Sequence, residues 1–126
     1  MTRRIIVVED DEKSRRLLTD VLTHHGYEVA AVSCGEDGIR AAHDGGADAV
    51  LLDIQLPGID GFEVLAGLRN APESAVRLPI VAVTASVMDD DRRKILAAGF
   101  DAYVPKPVNI RELLATLTRL LANAPS

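Results

Sequence analysis

The chain reads as an α/β protein built on a parallel sheet with helices on both faces. Short apolar runs alternate with stretches of helical periodicity about ten to fourteen residues long, the pattern of repeated βαβ units. Ile5-Ile6-Val7-Val8 and Ile80-Val81-Ala82-Val83 are apolar at every position instead of alternating, as expected of central strands covered on both sides. Finally, a polar cluster follows each of four runs: Glu9-Asp10-Asp11, Asp53 after Val50-Leu51-Leu52, Thr84, and Lys106 after Tyr103-Val104-Pro105. Strand C-termini in an open α/β sheet share one edge, and ligands bind in the crevice outside it. Four clusters distant in sequence are therefore expected to converge.

The elements follow in order. The first strand is expected at 4–9, and the helix after it begins near Glu12, with Asp11 as the short acceptor that caps it. That helix ends near His24 and His25, which suit the negative end of its dipole, and at Gly26, which can take the left-handed conformation. The second strand is expected at 28–32. Ser33, three residues before Glu36, marks the next helix start, and Gly45-Gly46 its end. After a third strand at 48–53 comes a loop punctuated by Pro57, Gly58 and Gly61, which is expected to leave Asp53 exposed. Asp60 and Glu63 mark the third helix in the same way. The fourth strand is expected at 79–84, Gly99 ends the fourth helix, and the fifth strand is expected at 101–105. Asn109 and Glu112 open the last helix, whose Ile110, Leu113, Leu114, Leu117, Leu120 and Leu121 form one stripe. Core packing accounts for the stripe.

With 126 residues the chain has the length of one domain, and the formal net charge of -5 disfavours a polyanionic partner. Direct DNA binding is not expected, nor is membrane insertion, since no apolar run approaches spanning length. The expected setting is the cytoplasm. The single Cys34 lies among turn residues and reads as a space-filling side chain. His24, His25 and His43 read as surface residues and not as metal ligands.

The convergent edge carries the chemistry. Glu9, Asp10, Asp11 and Asp53 repel one another unless a cation or proton sits among them, and Mg2+ suits such hard oxygen donors. With Asp11 assigned to capping, Asp10 is the preferred ligand and Glu9 the next. An aspartate beside Mg2+ can attack phosphorus to form an aspartyl phosphate, and Lys106 and Thr84 supply an ammonium and a hydroxyl for the transferring oxygens. Taken singly, each residue has a plainer reading as strand, turn or loop material; the joint occurrence in order is what points to a site.

Four segments together resemble the signature motifs of the response-regulator receiver domain of two-component signalling. They are Val8-Glu9-Asp10-Asp11-Glu12, Leu52 to Gly61, Val83-Thr84-Ala85 and Tyr103-Val104-Pro105-Lys106-Pro107. The resemblance covers Arg4 to Leu121 and implies a single receiver domain over 1–126, with its core at 4–121. It implies a flavodoxin-like, doubly wound, five-stranded parallel sheet in the order 2-1-3-4-5 with five helices. By resemblance, Asp53 accepts a phosphoryl group from a phosphohistidine on a sensor histidine kinase or histidine phosphotransfer protein. Mg2+ is held by Asp10, Asp53 and the Gln55 carbonyl, with Glu9 acting through water. Thr84 and Lys106 contact the phosphoryl group, and Tyr103 swings inward as a switch. A cis peptide before Pro107 is also implied. Gln55 and Ser86 occupy positions that tune phosphoryl lifetime.

The implied output surface is the fourth helix, fifth strand and fifth helix, centred on Met88 to Leu96, Tyr103 and the outward face of 109–121. Its reader is a downstream protein or a second copy of the chain. The chain is similar to stand-alone receivers, with a receiver module of a hybrid histidine kinase as the alternative. The contrasting reading, a Mg2+-dependent phosphohydrolase with an aspartate nucleophile, usually needs a second aspartate where this chain has Gln55. A receiver catalyses only its own phosphorylation and dephosphorylation. Nucleotide binding is disfavoured, because the glycines at 58 and 61 match neither a P-loop nor a dinucleotide fingerprint.

Overall fold

The computed structural model describes residues 3–44, 46–56, 58, 60–69, 78–85 and 89–122, the side chains of 89–91 excepted. Strands β1 (Arg4–Val8), β2 (Glu28–Val32), β3 (Ala49–Asp53), β4 (Ile80–Thr84) and β5 (Ala102–Pro105) form one parallel sheet in the order β2-β1-β3-β4-β5. Between and after them run α1 (Glu12–His24), α2 (Gly35–His43), α3 (Gly61–Arg69), α4 (Asp89–Ala98) and α5 (Ile110–Ala122), five helices among the described residues. The predicted sheet order holds, and the described residues contain the predicted five helices.

Alternation along the strands sorts the core into two layers. Ile6, Val8, Val50, Leu52, Ile80 and Ala82 pack with Val64, Leu65, Leu68 and Ile95 from α3 and α4. Ile5, Val7, Leu51, Val81 and Val83 pack on the opposite face with Leu18, Leu22, Leu113, Leu117 and Leu121 from α1 and α5. The predicted stripe of α5 therefore faces the sheet. β2, an edge strand, is only partly buried, whereas β3 and β4 are buried throughout.

Several expected boundaries shift by one residue, and local bonding accompanies the shift at the starts of β3 and β5. β1 stops at Val8, although the Glu9 N–H still donates to the Val32 carbonyl at 3.1 Å. β3, β4 and β5 begin one residue later than predicted, at Ala49, Ile80 and Ala102. Asp48 and Asp101 precede two of these starts and use their side chains as acceptors instead, for the Arg4 N–H at 2.8 Å and the Ile80 N–H at 2.7 Å.

The caps are mixed. Asp11, Asp60 and Asn109 accept from the N–H groups of Ser14, Glu63 and Glu112 at 2.9, 2.9 and 3.1 Å, as their spacing predicts. Ser33 is not the cap of α2: the helix starts at Gly35, so the N-cap position falls on Cys34, which makes no side-chain cap bond. Gly26, Gly46 and Gly99 all have positive φ, as needed beyond a helix end. Gly45 lies outside the described residues.

At the N-terminal edge of the sheet, Arg69 ties three segments together. Its guanidinium donates to the Leu78 and Gly99 carbonyls at 2.8 and 2.9 Å and to Asp101 Oδ2 at 3.0 Å, the same oxygen that accepts from Ile80. Asp101→Ala strips the part-buried Ile80 N–H of this acceptor and is expected to lower stability by about 1–3 kcal/mol. Asp101→Asn keeps an acceptor oxygen and is expected to cost less. Urea unfolding midpoints check this, and an alanine variant as stable as the wild type would refute it.

Candidate functional site

The parallel register aligns the strand ends. Val8 lies beside Leu52, Asp53 beside Val83, and Thr84 beside Pro105, so the residues that follow these strands emerge on one edge. The polar clusters predicted to converge do so. Lys106 Nζ lies 2.9 Å from Glu9 Oε1 and 2.9 Å from Asp53 Oδ2. The second oxygen of Asp53, Oδ1, accepts from the Gln55 N–H at 2.9 Å, and the Lys106 N–H donates to the Thr84 carbonyl at 2.7 Å. The Lys106–Pro107 peptide is cis, as implied.

Burial departs from expectation. The Pro- and Gly-punctuated loop after β3 predicts an exposed Asp53, yet Asp53 is only 3% exposed, Glu9 2% and Thr84 2%. The loop folds back at Gly61, whose N–H donates to the Ile54 carbonyl at 3.0 Å; a Cβ at Gly61 would stand 2.6 Å from Ile54 Cα. With Lys106 across the carboxylates, Asp53 is covered and paired. Asp10 is exposed, and its carboxylate makes no hydrogen bond among the described residues.

The electrostatics follow from that enclosure. Burial, with a hydrogen bond shared with Asp53, raises the Glu9 carboxyl to about 7 against the opposing pull of Lys106. Burial alone would lower the pKa of the Lys106 ammonium, but its bonds to Asp53 and Glu9 outweigh that and hold it above its ordinary value. Asp11 is lowered by the Ser14 backbone bond it accepts as a cap.

Glu9, Asp10 and Asp53 each offer a carboxylate oxygen, all within 4.8 Å of one another. Three acidic side chains against one ammonium form an all-oxygen donor set that suits a hard divalent cation. The family model for the response regulator receiver domain matches residues 5–118.

The chain belongs to the response regulator receiver family.

Among curated relatives, TcrA of Mycobacterium tuberculosis, a transcriptional regulatory protein, is 43% identical over 122 residues, which cover 97% of this chain and 47% of TcrA. The chain thus spans about half of that relative's length. DivK of Brucella ovis, a polar-differentiation response regulator, is 33% identical over 124 residues, covering 98% of this receiver and 100% of DivK. Among solved structures, the receiver domain of the sensor histidine kinase PA1611 from Pseudomonas aeruginosa superposes with a TM-score of 0.89 at 32% identity. It covers 98% of this chain and 100% of that one, and that structure has magnesium coordinated in its active-site cleft. A response regulator from Chloroflexus aurantiacus gives a TM-score of 0.90 at 30% identity, with 98% and 100% coverage.

As a receiver the chain is a phosphoacceptor that catalyses only its own phosphorylation and dephosphorylation, and receivers work with histidine kinases and histidine phosphotransfer proteins. No described helix is long and apolar enough to cross a membrane. Tyr103 is half-buried on β5, with the Arg92 guanidinium 5.2 Å from its ring centroid. Gln55 is exposed beside Asp53, and Ser86 and Met88 lie outside the described residues.

One participant escaped the sequence reading. Arg15 Nη1 donates to the Glu9 carbonyl at 3.0 Å and the Asp10 carbonyl at 3.4 Å. A signal was present: a cation in the first turns of a helix opposes its dipole and needs a partner.

Proposed function

We propose that Asp53 is the phosphoryl acceptor of this receiver, taking the group from a phosphohistidine on a sensor histidine kinase or histidine phosphotransfer protein. The observation that carries the reading is the seating of Asp53: one oxygen is held by a backbone N–H and the other by Lys106, with Glu9 and Asp10 alongside. One carboxylate oxygen attacks phosphorus, the P–N bond of the donor breaks, and the imidazole nitrogen leaves with its electron pair. Lys106 then follows the negative charge from the carboxylate to a phosphoryl oxygen. Thr84, on the neighbouring strand end, donates a hydrogen bond from its hydroxyl to an oxygen of the same group.

Asp10, Asp53 and the Gln55 carbonyl would hold Mg2+, with Glu9 acting through water. When bound, the cation supplies charge neutralisation for the transferring oxygens. Beside Lys106 a cavity of about 160 Å3, lined in part by Leu17, Leu18, Pro107 and Val108, offers apolar walls for the donor protein. Leu17 at its rim is 55% exposed.

Output is assigned to α4, β5 and α5. Thr84 and Lys106 flank β5 at the active-site edge, so a pull on both biases the strand that carries Tyr103. A protein partner or a second copy of the chain reads the change, in the cytoplasm and without direct DNA contact.

Transfer from a phosphorylated histidine phosphotransfer protein tests the proposal. Label is expected with Mg2+ and none after chelation; chelator-insensitive labelling would defeat the reading. Asp10→Ala is expected to weaken Mg2+ binding by roughly tenfold or more, the scale of one lost ligand or its support. Because Asp10 is exposed and unbonded, its metal-free melting temperature is expected to stay level or rise as clustered charge is relieved. A large drop in that temperature would make Asp10 structural.

A further inference from the structure

We propose that Arg15 is a positioning residue, which fixes the backbone behind Glu9 and Asp10 so that their carboxylates face a common cation; this rests on reading the edge as a Mg2+ site. Arg15 stands one turn into α1, which begins at Glu12, where the positive end of the helix dipole disfavours a guanidinium. The side chain turns back and donates to two successive carbonyls, Glu9 at 3.0 Å and Asp10 at 3.4 Å.

Both acceptors are main-chain oxygens. The bonds therefore stiffen the loop without occupying any carboxylate, in contrast to Lys106, which engages Glu9 and Asp53 directly. Other bonds seat Arg15 itself: its N–H donates to the Asp11 carbonyl at 2.9 Å, and Thr19 Oγ1 donates to the Arg15 carbonyl at 2.7 Å. The Asp11 N–H meets Glu9 Oε2 at 3.4 Å, closing the loop on its own acid. A planar fork with several donors suits paired acceptors, whereas an ammonium is a point charge on a flexible stem.

Two effects of opposite sign separate positioning from simple charge. Arg15 is a cation near a cation site, so on electrostatics alone Arg15→Met tightens Mg2+ binding. Positioning predicts the reverse, because the loop must then be ordered when the ion binds.

Wild type, Arg15→Met and Arg15→Lys are titrated with Mg2+ alone by backbone chemical shift, and amide exchange is measured on each without metal. Arg15→Met is expected to bind Mg2+ roughly threefold to tenfold more weakly, the scale of one or two ordinary hydrogen bonds. Exchange at Glu9 and Asp11, whose N–H groups are bonded to the Val32 carbonyl and to Glu9 Oε2, is expected to quicken while the core strands stay protected. Arg15→Lys keeps the charge and one donor, and is expected to recover part of both losses; it also carries the test should the methionine variant fold poorly. Mg2+ binding as tight as or tighter than wild type in Arg15→Met would overturn the proposal, as would unchanged exchange at residues 9–11. If the wild type itself takes up no Mg2+, the reading of the edge as a cation site fails, and the exchange measurement alone decides whether Arg15 holds the loop.

Discussion

Asp53→Asn is expected to take up no label from a phosphorylated histidine phosphotransfer protein in the presence of Mg2+. An amide oxygen is a far poorer nucleophile than a carboxylate, and the variant loses both the attacking group and one cation ligand. The fold is expected to survive. The introduced amide keeps an acceptor oxygen for the Gln55 N–H, and removing one of two buried carboxylates leaves Lys106 paired with Glu9. A melting temperature at or above that of wild type, measured without metal, would show that loss of label is chemical and not structural. Asp53→Glu is expected to fail as well, because its longer side chain must push into the space of Lys106 and Glu9. Labelling of Asp53→Asn at the wild-type rate would remove Asp53 as the acceptor and leave Asp10 as the next candidate.

How much of this was legible beforehand differs by kind of interaction. Strand runs apolar at every position required a sheet buried on both faces, and β1, β3 and β4 are so buried. Convergence of Glu9, Asp53, Thr84 and Lys106 was legible because parallel strands must end on one edge. The resemblance supplied the strand order, which no periodicity could. Enclosure was not legible. A loop rich in Pro and Gly suggests exposure, but burial of Asp53 depends on the fold-back at Gly61 and on Lys106, which is remote in sequence. Ser33 failed as a cap because the rule fixes a start only to within a residue, and the helix chose Cys34. The place of Arg15 in the first turns of α1 signals that it needs a partner, but that the partners are the Glu9 and Asp10 carbonyls no residue identity reveals.

Lys106→Met is expected to produce the largest loss of metal-free stability, about 3 kcal/mol near pH 8, since breaking a buried pair leaves uncompensated charge behind. Here two carboxylates are abandoned at once, each only a few per cent exposed; the Lys106 side chain as a whole keeps about a quarter of its surface in water, which holds the figure at the lower end. The loss is expected to shrink at low pH. The folded-state pKa of Glu9, about 7, lies above its ordinary 4.5, so its contribution favours the fold fully below 4.5 and is lost as pH rises through 7. Lys106 is among the groups that lower that pKa, so removing it moves the folded value higher still and extends the window of falling stability toward alkaline pH. A protonated Glu9 can donate to Asp53, and a proton then does part of the work of the missing ammonium. Mg2+ is expected to do the same at pH 8 and to raise the melting temperature of Lys106→Met more than that of the wild type. Chemical denaturation at pH 5 and pH 8, with and without Mg2+, reads all of these effects. A loss that is the same at both pH values and indifferent to Mg2+ would mean that Lys106 stabilises the fold through packing of its stem, and that the charge cluster it spans is held together by something else.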